Sequence, residues 1–488
     1  MTTTEIVTTP VVPEAEVPQR AGWLPKDQRK KILLLSDDLR MPSGVGVMSR
    51  EIVMETAHRI NWVQLGAAIN HPEVGKGVDI SESLSKEIGV KDAYLRIFPY
   101  NGYGDPGILR WLMKNEQPDG IMHFTDPRFW GWLYNMEHEI RQTMPLMYYH
   151  VWDDVPYPRY NENYYRSCDA IFGISKQTYN IVRQVWQKDK PADWQVKYIP
   201  HGVNPKLWKK LEKEEDVAAA LEMRKKMFGD DWEKVKFVVL YNNRNIRRKM
   251  TGDVILAFKE FINGLPEKDR GACRIIFHTQ PVDENGTDLF AVLRDLAPEV
   301  EAVFSPERVS PEDMVKIYHN ADVVINMASN EGFGIGTLEA MLAEKMIIAN
   351  VTGGLQDQMG FVDDKGNHLD PDVHFNEEWG TNADGRYRKH GPWVVPLFPT
   401  NRALIGSPPT PYIFDDRCSY QDAAKAIREV YDLSPEERAR RGKIGRDWAM
   451  SKEVGMTSQM MGERFVEAFD DVYANWKPRA KFDIYKAD

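Results

Sequence analysis

Short apolar runs bounded by charged or turn-forming residues recur along most of the chain. KILLLS (31–36) is entered through lysines and is then apolar throughout, as a strand buried on both faces would be. DDLRMPSGVG follows, and VMSREIVMETAHRI then carries its apolar residues at helical spacing. NWVQLGAA (61–68) predicts the next strand, giving strand, glycine-containing loop, helix and strand, the opening of a nucleotide-binding fold. GIMHFT (120–125), PLMYYHVW (145–152) and AIFGIS (170–175) predict further strands, and VKYIPHGVN (196–204) closes this half. A charged helical stretch, 206–234, separates it from a second start at KFVVLYNN (236–243). There CRIIFHTQ (273–280), DVVINMAS (322–329) and MIIANV (346–351) predict strands between helical segments. Ser310 and Pro311 mark one helix start. Residues 360–420 break the pattern with Pro, Gly, Asp and Trp, and predict a loop-rich insertion. The chain ends in two or three amphipathic helices.

The expected class is therefore α/β, with two Rossmann-like domains facing across a cleft. The expected boundaries are a disordered tail over 1–28, a first domain over 29–205, a second over 206–465 carrying the insertion, and a helix over 466–488 that returns to the first domain. A length of 488 residues suits two domains or more. The net charge of −10 argues against a surface built for non-specific nucleic-acid binding. Cys168, Cys273 and Cys418 lie far apart, with neither metal-ligand nor disulfide spacing, which predicts a reducing, cytoplasmic setting. No apolar run approaches the roughly 18 residues of a membrane span, and the N-terminus lacks the basic and apolar regions of a signal peptide.

Ligands of open α/β sheets bind beyond the carboxyl ends of the strands, and the chemistry-bearing residues here cluster at such ends. Gly44 and Gly46 in SGVG allow a phosphate to approach a helix N-terminus, although glycine turns after first strands are common. RNIRRK (244–249) supplies the counter-charge a diphosphate needs; it also fits a solvated basic turn or a nucleic-acid patch. In NEGFGIGTLEAM (330–341), Glu331 and Glu339 flank Gly332, Gly334 and Gly336. Two carboxylates there can accept from hydroxyls of one ligand, with the glycines clearing space for it. The alternative is that Glu339 serves its helix dipole. His150, followed by Asp153 and Asp154, reads as a structural histidine, a catalytic group or a weak metal signal. The aromatic stretch 124–135 fits a core or lid, or a stacking surface for sugar or base rings.

Taken together these motifs resemble the retaining glycosyltransferases of family 4, which have the GT-B architecture. The resemblance covers residues 30–358 and 420–475 and is carried by Glu331 and Glu339 at E-x7-E spacing, by Arg244 and Lys249, by VKYIPHGVNPKLW with His201 in place of the usual Asn, and by TGGLQD, SGVG and MYYHVWDD. It implies a nucleoside-diphosphate-sugar donor and no required cofactor or metal. Arg244 and Lys249 would hold the diphosphate, Glu331 the sugar hydroxyls and Glu339 the ribose. Backbone near Gly44 and Gly46 would touch phosphate, and His150 would lie near the transferred sugar. Gly332, Phe333, Gly334 and Thr337 complete the donor set. Met250 follows Lys249 where glycine is common, and Arg247 is placed to share the role of Arg244. The acceptor would be a hydroxyl of a glycan, lipid-linked glycan or small molecule. The alternatives are a phage-type transfer to modified DNA bases and a non-catalytic sugar-nucleotide-binding protein. The donor's base, the acceptor and the oligomeric state are not legible.

Overall fold

The computed structural model describes residues 20–186 and 190–481. The apolar runs of the first half become β1 (Lys30–Asp37), β2 (Ile60–Ala67), β3 (Val78–Asp79), β4 (Leu95–Pro99), β5 (Gly120–Phe124), β6 (Leu146–His150), β7 (Ala170–Gly173) and β8 (Val196–Tyr198). They form one eight-stranded sheet in the order β3-β4-β2-β1-β5-β6-β7-β8. Every pairing is parallel except that of β3 with β4. Both faces are covered, which is why the strands read as unbroken apolar runs: Ile32 and Leu34 of β1 join one core, Leu33 and Leu35 the other.

The second half repeats the plan with β9 (Phe237–Asn242), β10 (Cys273–His278), β11 (Ala302–Phe304), β12 (Val323–Asn326), β13 (Met346–Asn350) and β14 (Val394–Leu397). Their order is β11-β10-β9-β12-β13-β14, all parallel. Each sheet reverses direction of strand order once, between β1 and β5 in the first and between β9 and β12 in the second. The loops leaving these four strands frame the crevices where such sheets bind ligands.

The region expected to be loop is partly ordered strand. β14 lies inside it and extends the second sheet at its edge, where Pro396 is tolerated because an edge strand needs only half its N–H groups. A hairpin, β15 (Asn401–Ser407) and β16 (Thr410–Arg417), follows. Only residues 20–28 of the tail expected over 1–28 are described. Residues 1–19 lie outside the described residues, but Leu24 N donates to His58 O at 3.0 Å, and Arg29 holds Leu24 O and Asp92 O.

Three helices position the site. α1 (Gly44–Thr56) follows β1, α2 (Ile335–Leu342) follows β12, and α3 (Ser458–Asn475) closes the described chain. α3 begins before residue 466 and packs on the first half. Phe465 and Phe469 sit against Tyr149, Phe172 and Trp62, and Ser458 Oγ donates to Glu55 Oε1 at 3.0 Å. Phe465 has no exposed surface. Replacing it with Ala leaves a cavity costing about 3–5 kcal/mol, so calorimetry of Phe465→Ala will show an earlier melting transition. An unchanged scan would mean that the helix's return contributes nothing to stability.

Candidate functional site

The site forms where β9 and β12 end. After β9 the chain makes one tight turn, Arg247–Lys249, and Met250 takes a left-handed φ of 54° before the next helix. After β12, residues 328–334 loop back to start α2. The two turns meet: Ser329 N donates to Arg248 O at 2.8 Å, Arg248 Nη1 donates to Asn330 O at 2.5 Å, and Lys249 Nζ forms an ion pair with the Glu331 carboxylate. Burial by itself would raise the Glu331 pKa, but Lys249 and Arg248 outweigh it and hold the carboxyl below its ordinary range. Glu331 is thus an anion beside two cations.

Glu339 sits in the second turn of α2, in a different environment. Tyr318 Oη donates to its Oε2 at 2.9 Å, and Asn242 Nδ2 donates to that hydroxyl at 2.8 Å. Burial pushes the Glu339 pKa up to about 8, and the hydrogen bond from Tyr318 only partly opposes this. It lies beyond the first turn of α2, so the helix dipole does not account for it.

The glycines of this loop make room for protein rather than for open space. A side chain on Gly332 would meet Ile174 and Val151 O of the first half at 3.2 Å each. Gly334 has φ +88°, and Thr337 Oγ1 donates to its carbonyl at 2.7 Å. A Cβ on Gly353 or Gly354 would collide with the carbonyls of Glu331 and Gly332. Two loops of the second half therefore lie backbone against backbone, pressed on the first half. Phe333 is buried and packs edge-on to His201 at 5.1 Å.

The remaining expectations divide. Gly44 opens α1 opposite α2, its absent side chain 3.6 Å from Ile335 Cδ1. Gly46 is explained by the turn itself: a Cβ there would lie 2.5 Å from Met41 O, and its N–H already donates to Ser43 Oγ at 3.0 Å. Arg244 does not reach Lys249 or Glu331; it is exposed and pairs with Asp283 at 2.9 Å. Arg247 is also exposed, and Arg248 is the arginine that turns into the loop. His150 is not brought to the group. It has no exposed surface, bonds Tyr165 Oη through Nε2 at 2.7 Å, and lies under the helix at 162–166, because the strand pleat aims it into the first-half core. His201, singled out only as a departure, is the histidine against the glycine loop. Of the stretch 124–135, Trp130 and Leu133 are core, whereas Phe129 is exposed and stacks on Tyr103 at 4.7 Å. Among the described residues no group of three or more His, Cys, Asp or Glu is placed to hold a metal, and no helix is long and apolar enough to cross a membrane.

Residues 225–372 match the family model described as "Glycosyl transferases group 1". No curated protein matches the chain. Among solved structures it is similar to HepE of Anabaena in complex with UDP and glucose, at 15% identity and a TM-score of 0.60 over 91% of this chain and 100% of that one. It is similar to sucrose-phosphate synthase of Thermosynechococcus elongatus, at 14% and 0.61 over 91% and 100%. It is also similar to the α,α-trehalose 6-phosphate synthase of Burkholderia multivorans, at 11% and 0.57 over 92% and 99%. At these identities the likeness concerns the fold, two Rossmann-like units in the GT-B arrangement. The stretch that matches the group 1 glycosyltransferase model, 225–372, contains both turns of the site.

The raised pKa of Glu339 has a sign that can be tested. The folded chain keeps a proton that the unfolded chain loses near 4.5, the ordinary glutamate value. This contribution is complete below pH 4.5 and is lost as pH rises towards about 8. Glu339→Gln removes the loss. Its melting temperature relative to wild type should rise by roughly 2–4 °C between pH 5 and pH 8.5. A difference that ignores pH would mean an ordinary carboxyl.

Proposed function

We propose that this chain is a glycosyltransferase that moves a sugar, with retention of anomeric configuration, from a nucleoside-diphosphate sugar to a hydroxyl of a glycan, lipid-linked glycan or small molecule. The observation that carries the reading is the ion pair of Lys249 with Glu331 at the crevice of the second sheet, with Arg248 beside it. Lys249 offers its charge to the diphosphate, where negative charge grows as the bond to the sugar breaks. Glu331, kept anionic, accepts from sugar hydroxyls, and its pairing with Lys249 keeps that charge from being buried alone before donor arrives. Glu339 accepts from the ribose. The amide end of α1 at Gly44 faces the phosphates. Arg244, at the rim, meets the diphosphate only if it leaves Asp283. His150 has no part in this reading.

The complexes of HepE with UDP and glucose and with UDP-glucose make UDP-sugars the first donors to try. The three cysteines are buried and unpaired, which fits a cytoplasmic enzyme. The acceptor would approach from the first half, where Phe129 and Tyr103 offer a stacked aromatic face beside the ends of β4 and β5.

A thermal-shift panel of UDP-, GDP-, ADP- and dTDP-sugars tests the donor, since a ligand of the folded state raises its melting temperature. One nucleotide should stabilise wild type and leave Glu339→Ala unmoved; no shift with any of them removes the donor site. Product NMR then reads the anomeric configuration.

Lys249→Ala should lower turnover by about 10²–10³-fold. It should also lower the melting temperature, because Glu331 is left buried with less counter-charge. Adding Glu331→Gln should restore the melting temperature and leave turnover low. Full turnover in Lys249→Ala would refute its role.

Donor binding should also be linked to protons. Ribose hydroxyls favour the anionic form of Glu339, so binding below pH 8 releases a proton and tightens as pH rises to about 8. Calorimetry in two buffers of different ionisation enthalpy measures that proton; identical heats would place the ribose elsewhere.

A further inference from the structure

The insertion does more than fill a surface. It leaves the second half and grips the first at several separated points: Tyr179 Oη donates to Asp372 Oδ1 at 2.8 Å, Tyr160 Oη to Tyr412 O at 2.8 Å, and Phe414 N to Val155 O at 2.9 Å. At its inner end this seam reaches the residue just before Glu331. The Nδ2 group of Asn330 donates to Asp154 Oδ2 of the first half at 2.6 Å and to Phe414 O of β16 at 2.6 Å. The preceding carbonyl, Ser329 O, accepts from Asp416 N of β16 at 3.1 Å. Asp416 is itself anchored by Arg402 Nε at 2.5 Å and Thr352 Oγ1 at 3.1 Å. Asp154 has no exposed surface, and its other oxygen accepts from Val155 N at 2.7 Å.

An amide with both hydrogens committed to fixed acceptors cannot turn without leaving a buried donor unpaired. Its two acceptors come from two different parts of the chain, neither of them the loop it belongs to. We propose that Asp154 is a positioning residue for Glu331, acting through Asn330, and that β16 supplies the other half of the same grip. The Glu331 carboxylate is then in place only when the first half, the insertion and the second half are docked together. Supporting groups of this kind set the geometry of the residues that touch substrate. The inference rests on the donor-sugar role given to Glu331 above.

Asp154→Ala, Asp154→Asn and Tyr160→Phe test it, each alone and combined with Glu331→Gln. Binding is measured by calorimetry with the sugar nucleotide that stabilises wild type most in the panel. Asp154→Ala should weaken binding about tenfold in wild type and by less than about twofold in the Glu331→Gln background, because a residue acting through Glu331 cannot act once its carboxylate is gone. Asp154→Asn keeps one acceptor oxygen and should recover part of the loss. Tyr160→Phe loosens only the hairpin and carries the same test if Asp154→Ala does not fold. Amide hydrogen exchange of peptides covering 328–334 should quicken in each Asp154 variant without any ligand. Equal losses in both backgrounds, or unchanged exchange at 328–334, would overturn the proposal. Quickened exchange together with no binding of any sugar nucleotide by wild type would retain the positioning of Glu331 and remove the donor reading.

Discussion

A carboxylate kept ionised inside a protein constrains everything around it, because an uncompensated buried charge costs more than most single interactions return. Glu331 is that group here. Lys249 and Arg248 meet it from one side only if the turn after β9 and the loop after β12 end at the same crevice, which the sheet order β10-β9-β12 guarantees. The loop must then lie flat between its own domain and the first half. That explains glycine at 332, 353 and 354, where any side chain would press on or strike a carbonyl. The glycines serve the loop's fit, and the fit serves the charge.

The two carboxylates of the E-x7-E motif end in opposite states for a physical reason. Glu331 has cations within reach and stays anionic, whereas Glu339 has only the hydroxyl of Tyr318 to set against its burial, so it takes up a proton. A site with one fixed anion and one carboxyl that ionises near neutrality separates a permanent electrostatic element from a responsive one. The insertion adds a mechanical element: its hairpin spans both halves, so the geometry of the donor loop is tied to how the halves dock.

Much of the fold was legible because central parallel strands must be apolar on both faces. β1, β2, β5, β6, β9, β10, β12 and β13 all fall on the runs that predict them. Most of the elements that escaped lie at edges or are short, although β4, five residues inside the first sheet, escaped as well. β3 has two residues, β11 is an edge strand of three, and β14 contains Pro396. β15 and β16 carry no unbroken apolar run, because the hairpin is an exposed two-stranded unit outside the two main sheets. At the site, the spacing of Glu331 and Glu339 and the basic turn were readable. Which arginine of RNIRRK faces inward was not: a single tight turn decides it, and it chose Arg248 over Arg244 and Arg247. His150 stood inside the expected segment, MYYHVWDD, but strand alternation points it into the core, while His201 comes to the glycine loop from a distant part of the chain.

The sequence by itself determined what periodicity and local chemistry can determine. It showed two α/β halves, strand-end loops rich in glycine and charge, and a motif pair specific enough to indicate sugar transfer. Only the tertiary structure decided which groups share a dielectric environment. The pairing of Lys249 with Glu331, the isolation of Glu339 beside Tyr318, and the grip of Asp154 and β16 on Asn330 each join residues more than twenty positions apart. Sequence pattern reports the spacing of side chains along one element. Ionisation and positioning depend on distances between elements, and those exist only once the sheets and the insertion have packed.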